Sequence, residues 1–151
     1  VVAIDERAAL PFPPVFDVVA VDAPCSGLGT LRRDPDIKWR RTPADLTLFQ
    51  ARQIDLLTRA AAAVAPGGCL VYTTCSTEPE ENIEVVERLL AVSPDFRLRR
   101  ADAGPSGRTL APFVEADGCL RIHPVRHGLE GYFGAVLERR SDGPPPPAVV
   151  Q

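Results

Sequence analysis

A strand, a long helix and a second strand follow one another between residues 16 and 74, and this order restricts the possible folds most. The stretch from Phe16 to Val21 is nearly continuous in apolar β-formers, broken only by Asp17, and Cys69 to Thr74 forms a second such run. This composition is typical of strands in parallel sheets. Because two such strands joined by a helix form a right-handed parallel crossover, we predict an α/β sheet whose first strand is buried on both faces.

The helix between the two strands has recognisable start and stop signals. Thr42, Pro43 and Asp45 have the pattern of an N-cap, a first-turn proline and an acidic third position. Apolar residues then recur at helical spacing until Gly67 and Gly68, where a left-handed backbone costs little. We therefore predict a helix that ends at the two glycines.

A second crossover is predicted after Cys75. Thr77 with Glu80 suggests a helix cap, Glu81 and Asn82 are expected to begin that helix, and Ser93 with Pro94 should end it. A third strand is predicted at Phe96–Arg100 and a loop at Asp102–Thr109. The chain then forms a terminal antiparallel hairpin of two strands, Leu120–His123 and Tyr132–Leu137, with Gly128 and Gly131 in its turn.

The length of 151 residues suits one packed core. We expect one domain over residues 1–140 and a disordered proline-rich tail over 141–151. No apolar run approaches the roughly 18 residues of a membrane span, and the first residues lack a signal-peptide pattern. A cytoplasmic protein without a membrane segment, with four free thiols, is therefore predicted.

Two cysteines follow the two predicted strands and lie beside polar, turn-forming residues. Cys25 stands three residues after Asp22, at the end of the first strand, and Cys75 ends the second. Because ligands of α/β proteins gather at the carboxyl ends of parallel strands, both thiols should point into one crevice. Cys69 and Cys119 lie inside apolar runs and are predicted to be small buried hydrophobes.

Other uses of the two thiols remain open. Structural zinc sites usually pair ligands as Cys-x-x-Cys, and neither Cys25 nor Cys75 has a second Cys or His at that spacing, so no metal is predicted. A cysteine hydrolase needs a histidine beside its thiol, and the two histidines, His123 and His127, lie far along the chain.

Longer motifs surround both cysteines. The first comprises Asp22–Gly27 with Gly29 and then Arg32–Trp39, and the second comprises Thr74–Ser76 with Pro79–Asn82. Together they resemble the signature motifs of the Sun family of S-adenosylmethionine-dependent RNA cytosine-5 methyltransferases, and most of all its bacterial Sun/RsmB branch, which modifies 16S ribosomal RNA. The resemblance implies a Rossmann-like class I methyltransferase sheet, S-adenosylmethionine as co-substrate and RNA as partner.

Methylation of cytosine gives two thiols distinct roles. Carbon 5 is a poor nucleophile, so a thiolate must first add at carbon 6, and afterwards carbon 5 must lose its proton and the thiol must leave. The resemblance implies that Cys75 is the nucleophile and that Cys25 assists proton removal and release. It further implies that Asp22 contacts the cytosine edge or the donor, with a cap as the alternative. Asp5 and Pro24 complete the implied donor-binding residues, and proline also fixes the backbone before Cys25.

A basic segment interrupts a chain whose net charge is −3. Residues 32–41 carry five basic side chains against two acidic ones, a local net charge of +3. We predict that the segment binds RNA phosphates, with a solvated basic loop as the alternative. Trp39 within it either stacks on a base or packs on the neighbouring helix. The predicted RNA-binding residues are Arg32, Arg33, Lys38, Arg40 and Arg41.

The end of the chain resembles the closing motif of the family, with Glu130 and Tyr132 in place of the usual Asp and Phe. Structural roles are predicted for His123 and His127 there. The Gly-rich donor loop that the family carries after the first strand of its sheet has no match in this sequence. We therefore expect the carboxyl-terminal part of a methyltransferase domain, which binds the donor poorly when alone. The competing function is a catalytically incomplete RNA-binding or assembly module.

Overall fold

A five-stranded mixed sheet organises the computed structural model, which describes residues 10–104 and 107–141. The strands are β1 (Phe16–Asp22), β2 (Val64–Thr74), β3 (Phe96–Arg99), β4 (Leu120–Ile122) and β5 (Tyr132–Arg139). The helices are α1 (Ile37–Arg40), α2 (Pro43–Ala61), α3 (Ile83–Val92), α4 (Gly107–Leu110) and α5 (Pro124–His127). Asp5 and the tail from residue 142 onward lie outside the described residues, so the domain boundaries stay a prediction.

The strand order is β1-β2-β5-β3, with β4 also paired to β5. β1 and β2 are parallel neighbours, and Val21 lies opposite Tyr72. β5 runs antiparallel to both β2 and β3. β2 and β3 are therefore parallel to each other, with β5 between them. Both predicted parallel crossovers are present. The second one connects β2 to β3, and β5 lies between these two strands.

The predicted terminal hairpin is present. β4 and β5 pair antiparallel, with Arg121 opposite Phe133. The connection contains α5 as well as a turn, and Gly128, in the left-handed region at φ 67°, ends that helix. β3 and β4 occupy different parts of the same edge of β5, because Leu98 pairs with Leu137 and Leu120 with Gly134.

Helix α2 begins as the sequence predicts. Pro43 is its first residue, and the Asp45 carboxylate accepts a hydrogen bond of 2.7 Å from the backbone N–H of Thr42. Thr42 and Asp45 thus form a capping box, which satisfies backbone donors that the first turn leaves free. Apolar residues of the helix, Leu57 among them, are buried against the sheet.

The predicted end of this helix at Gly67 and Gly68 is wrong. α2 ends at Ala61, and β2 already begins at Val64, so both glycines lie inside a strand. The register with β1 shifts here, where the extra residues of β2 form a bulge. A Cβ on Gly68 would lie 2.9 Å from the carbonyl oxygen of Asp17. Gly68 therefore serves a close approach of two strands, and Gly67 adopts a left-handed backbone (φ 79°) within the strand rather than at a helix terminus.

Burial of β1 on both faces is also wrong. Val21 is the buried residue of this strand, while Val18 is 63% exposed and Phe16 is 39% exposed. The reason is its position, because β1 is the edge strand of the described sheet and has β2 as its neighbour there. The core lies further in, between the sheet and helices α2 and α3. It includes Leu57, Leu70, Tyr72, Val86, Leu89, Phe133 and Leu137.

Three local predictions change in the loops. Helix α3 begins at Ile83 and not at the predicted cap, because the Thr77 hydroxyl bonds to the Glu78 carboxylate and a 3₁₀ turn intervenes at Pro79–Glu81. α3 does end before Ser93, as predicted. The arginine-rich loop contains a 3₁₀ turn and α1, and α4 lies in the segment predicted to be a loop. Within the described residues, no helix combines the length and apolar character needed to cross a bilayer.

Candidate active site

The sulfur atoms of Cys25 and Cys75 lie 2.9 Å apart, just beyond the carboxyl ends of β1 and β2. The two strands are parallel and pair Asp22 with Thr73, so the loops that follow them leave the same edge of the sheet. Both thiols are free and only partly buried. The structure therefore brings the two cysteines of the sequence motifs into direct contact at a place that a substrate can reach.

The two thiols differ in acidity. A hydrogen bond from Cys25 lowers the pKa of the Cys75 thiol to about 7, while burial and the charges of Asp22 and Glu81 act in the opposite direction. The same hydrogen bond, together with burial, raises the pKa of Cys25. Cys25 is thus the protonated donor and Cys75 the acceptor. The pair holds a thiolate on Cys75 near neutral pH, which is the reactive form of cysteine.

The other two cysteines lie in different surroundings. Cys119 is fully buried, as predicted, and burial raises the pKa of its thiol to about 11. Cys69 is half-buried rather than buried, because it alternates along β2 with the buried residues Gly68 and Leu70. Its sulfur lies 3.6 Å from a guanidinium nitrogen of Arg99.

Asp22 presents an exposed carboxylate at the end of β1. The hydroxyl of Thr73 on β2 donates a 3.0 Å hydrogen bond to it. This contact joins two strands, whereas the alternative that the sequence left open was a helix or turn cap. Pro24, two residues later, is exposed, and its carbonyl oxygen accepts a hydrogen bond of 2.9 Å from the Gln53 side chain.

The Cys25 loop is fastened by a buried carboxylate that the sequence analysis did not identify as part of the site. Glu81 is fully buried, and its carboxylate accepts hydrogen bonds from the backbone N–H of Ser26 at 2.8 Å and from the Ser26 hydroxyl at 2.5 Å. The buried Gln53 side chain donates a third bond of 3.1 Å. A buried charge requires such donors, because desolvation without them is costly.

The Cys75 loop has a polar network of its own. The Thr74 hydroxyl donates to the Asn82 side chain at 2.6 Å, and the Asn82 amide donates to the carbonyl oxygen of Ser76 at 3.0 Å. Asn82 does precede α3, but its side chain stabilises the loop around Cys75. The sequence signals for these residues are their place in the second motif and the Cys-Ser pair that occurs at both cysteines, but spacing does not reveal that a Glu or Asn is buried.

Backbone hydrogen bonds tie three loops together at Gly29. Its N–H donates to the carbonyl oxygen of Cys75 at 2.9 Å, and its own carbonyl oxygen accepts from the N–H of Gly131 at 2.7 Å. A Cβ on Gly29 would collide with the Gly131 carbonyl oxygen and would lie 2.7 Å from that of Cys75. A glycine is therefore required where the first motif, the second motif and the closing motif meet.

The basic segment lies on the surface beside these loops. Arg32 donates to the carbonyl oxygen of Gly128, and Arg33 and Arg40 form exposed ion pairs with Glu130 and Asp36. Trp39 is 79% exposed, so packing on the neighbouring helix is wrong. The ammonium group of Lys38 lies 4.7 Å from the centre of its ring.

Arg41 differs from the rest of the basic segment. Its Nε donates a 3.0 Å hydrogen bond to the carbonyl oxygen of Ser26, and its guanidinium lies over the ring of Phe49. The residue is thus bonded to the Cys25 loop. This contact links the basic segment physically to the two-cysteine site.

The histidines take no part in the two-cysteine site. His123 contacts the Glu115 carboxylate, its backbone N–H donates to the His127 ring, and His127 packs on Phe113. These contacts give no cysteine–histidine pair of the kind a hydrolase uses. Within residues 10–104 and 107–141, no cluster of potential metal ligands is present.

Comparison with known proteins identifies relatives along nearly the whole chain. Residues 1–138 match the family model described as 16S rRNA methyltransferase RsmB/F. A probable ribosomal RNA small subunit methyltransferase B from Synechocystis is 41% identical over 130 residues, which cover 84% of this chain and 28% of the relative. The chain therefore spans less than a third of that relative's length.

Two solved structures from Pyrococcus horikoshii share the fold. A methyltransferase homolog protein is 33% identical with a TM-score of 0.62, and the match covers 82% of this chain and 39% of that one. NSun6 superposes with a TM-score of 0.69 at 24% identity, over 94% of this chain and 34% of that one. The mixed α/β sheet is thus the Rossmann-like sheet of methyltransferases, as expected.

Proposed function

The chain belongs to the RsmB/F family of Sun-like RNA methyltransferases, and on that basis we propose that its protein transfers a methyl group from S-adenosylmethionine to carbon 5 of an RNA cytosine. The family description and the name of the Synechocystis relative favour 16S ribosomal RNA as the substrate, which would place the reaction in the cytoplasm. The observation that carries the proposal is the contact between the Cys25 and Cys75 sulfur atoms at the edge of the sheet.

Cys75 is the nucleophile in this proposal. Its pKa of about 7 makes a substantial fraction of the thiol a thiolate at neutral pH. Addition of this thiolate to carbon 6 forms a carbon–sulfur bond and turns carbon 5 into an enamine carbon, which can accept the methyl group. The high pKa of Cys25 suits that residue less well for the attack.

Cys25 acts after the addition. Once the Cys75 sulfur is bonded to carbon 6, it no longer carries the charge that raises the pKa of Cys25, so Cys25 can release its proton. As a thiolate it can take the proton from the methylated carbon 5, and the electron pair of that bond then expels Cys75 as a thiolate. The departing thiolate regains its hydrogen bond from the protonated Cys25, and the starting state is restored.

The end of β1 suits a cationic methyl donor. Asp22 is an exposed carboxylate whose charge reaches Cys75 strongly enough to act on its pKa. S-adenosylmethionine, when bound, supplies an electrophilic methyl group and carries positive charge that a carboxylate attracts. Asp22, with the exposed Pro24 beside it, is therefore the part of the described chain that we propose for donor contact. Asp5 remains a further candidate outside the described residues.

The test uses the intact gene product that contains this chain and 16S RNA, with methylated cytosines identified by bisulfite sequencing. We expect Cys75→Ala to abolish methylation, because it removes the thiol whose pKa is lowered to about 7. Cys69→Ala is the matched control, since it removes a half-buried thiol of β2, the strand that leads to Cys75, and should retain activity. A Cys75→Ala protein that still methylates would refute the assignment of the nucleophile.

Cys25→Ala tests the release step separately. Without Cys25, the methylated adduct loses its proton acceptor, so a covalent RNA–protein complex should accumulate and survive a denaturing gel. Absence of the complex, at a pH where Cys75 is a thiolate, would contradict the role of Cys25.

The basic segment supports RNA as the partner, and it also supports the alternative of a non-catalytic RNA-binding module. Exposed Lys38 and Trp39 offer a charge for phosphate and a ring for a base. Titration with S-adenosylmethionine separates the two functions: donor binding by the intact protein supports the enzyme, and RNA binding without donor binding supports the module.

A further inference from the structure

Glu81 joins the two cysteine loops through opposite ends of one residue. Its backbone belongs to the segment that follows Cys75 and is fixed to the core, because the fully buried Tyr72 hydroxyl donates to the Glu81 carbonyl oxygen at 2.7 Å. Its carboxylate reaches across to Ser26 in the other loop. The residue is therefore a strut between the strand that carries one cysteine and the loop that carries the other.

The contact between Glu81 and Ser26 lies directly beside Cys25 in the chain and so determines where Cys25 lies. Ser26 follows Cys25 directly, and both its backbone N–H and its hydroxyl bond to Glu81. Gln53 adds a second link, since its amide donates both to Glu81 and to the carbonyl oxygen of Pro24. The residues on both sides of Cys25 are thus held by groups that connect to one buried carboxylate.

We propose that Glu81 is a positioning residue that holds Cys25 against Cys75 and so maintains the hydrogen bond between the two thiols. This inference rests on the proposed function for its effect on methylation, but its effect on the thiols does not require that function. If the strut is removed, the loop can shift and the 2.9 Å contact between the sulfur atoms is lost. Misplacement of reacting groups by about 1 Å can cost a hundredfold in rate.

Glu81→Ala and Glu81→Gln separate positioning from charge. Alanine removes both carboxylate oxygens that accept from Ser26. Glutamine keeps an oxygen for the Ser26 N–H and for Gln53, and the Ser26 hydroxyl can reverse its role and accept from the new amide. Because the charge of Glu81 opposes the low pKa of Cys75, glutamine should leave that pKa unchanged or lower it slightly, whereas alanine should raise it.

Glu84→Gln is the matched control. Glu84 lies one helical turn further along and also bonds a glutamine of α2, with 2.8 Å between its carboxylate and the Gln50 amide. This contact links the same two elements, α2 and the α3 region, without touching the Cys25 loop. Glutamine keeps an oxygen for the Gln50 amide, so the control measures what the loss of a carboxylate charge at this interface does by itself.

The experiment measures the rate at which iodoacetamide alkylates Cys75 as a function of pH, with the modified peptide identified by mass spectrometry, and methylation kcat and KM on 16S RNA. Glu81→Ala should raise the alkylation midpoint by about one pH unit and lower kcat about tenfold, with KM for RNA nearly unchanged. Glu81→Gln and Glu84→Gln should keep the wild-type midpoint to within a few tenths of a unit.

A wild-type midpoint in folded Glu81→Ala overturns the proposal, and so does a midpoint raised equally in Glu81→Gln. A purely structural role would lower the melting temperature without moving the midpoint. If Glu81→Ala does not fold, Ser26→Ala removes the 2.5 Å bond to Glu81, together with two longer hydroxyl contacts of 3.4 Å, and keeps the backbone bond. A raised midpoint then supports the proposal, and an unchanged one overturns it. Alkylation requires neither RNA nor donor, so a protein that methylates nothing refutes the proposed function and leaves this result readable.

Discussion

Removal of the Cys25 thiol should make Cys75 a much weaker nucleophile at neutral pH. The hydrogen bond from Cys25 is the largest cause of the low pKa of Cys75, and the burial that remains acts in the opposite direction. In Cys25→Ala the pKa of Cys75 should therefore return from about 7 to at least its ordinary value of 9.0.

The size of the effect follows from the two pKa values. At pH 7 a thiol with a pKa of about 7 is about one-half thiolate, and a thiol with a pKa of about 9 is about 1% thiolate. The rate of alkylation of Cys75 should then fall about fiftyfold at pH 7, because the thiolate is the reactive form. The difference between the two proteins should shrink to about twofold at pH 9 and nearly disappear at about pH 10.

The assay is the iodoacetamide rate at Cys75 from pH 5.5 to about 10, with Cys25→Ser as the matched variant. A serine hydroxyl can still donate a hydrogen bond to the thiolate, so its midpoint should lie between those of wild type and Cys25→Ala. Equal midpoints in wild type and Cys25→Ala would refute the reasoning, because the sulfur–sulfur contact would then not control acidity. The covalent trap with Cys25→Ala is best sought near pH 9 for the same reason.

Three further predictions concern other parts of the site. Gly29→Ala should destabilise the fold by about 3 kcal/mol in chemical unfolding, because two backbone hydrogen bonds are strained or lost and the new Cβ overpacks the site. Gly134→Ala should cost less than about 1 kcal/mol, because its Cβ meets ordinary contacts. Equal costs would contradict a tight junction of the three loops at Gly29. Trp39→Ala should weaken RNA binding about tenfold in a filter-binding assay without lowering the melting temperature, and Leu48→Ala, also exposed, should do neither. The single-turnover methylation rate should rise with pH through a midpoint near 7, since Cys75 must lose its proton; a rate independent of pH between 6 and 8 would count against it.

Local patterns predicted the framework well. The Thr42–Asp45 capping box and the apolar runs of β1 and β2 depend on neighbours in the chain, so the sequence shows them. The predicted helix stop at Gly67 and Gly68 failed because glycine also serves inside strands: Gly68 allows the close approach to Asp17 on β1, and Gly67 takes a left-handed backbone there. The prediction that β1 is buried on both faces failed for a similar reason, since a strand's own residues do not reveal its place at the edge of a sheet.

In the site, too, features that depend on neighbours in the chain could be predicted, and features that depend on tertiary contacts could not. Cys25 and Cys75 could be assigned to one crevice because the ends of parallel strands meet there. Arg40 and Arg41 are neighbours in one basic segment, yet Arg40 pairs with Asp36 at the surface and Arg41 bonds to Ser26 in the Cys25 loop. Charge counts do not distinguish them, because the contact of Arg41 depends on where the segment lies relative to another loop.

The sequence by itself determined that two thiols would stand at the ends of neighbouring parallel strands, because strand-forming runs and the residues that end them are local properties of the chain. Only the tertiary structure decided that the two sulfur atoms touch, that Cys75 is the more acidic, and that a buried Glu81 fastens the loop opposite it. Acidity and burial depend on atoms distant along the chain, such as the 55 residues that separate Ser26 from Glu81. The acidity of a thiol and the burial of a carboxylate are therefore set only when folding brings those atoms together and removes them from water.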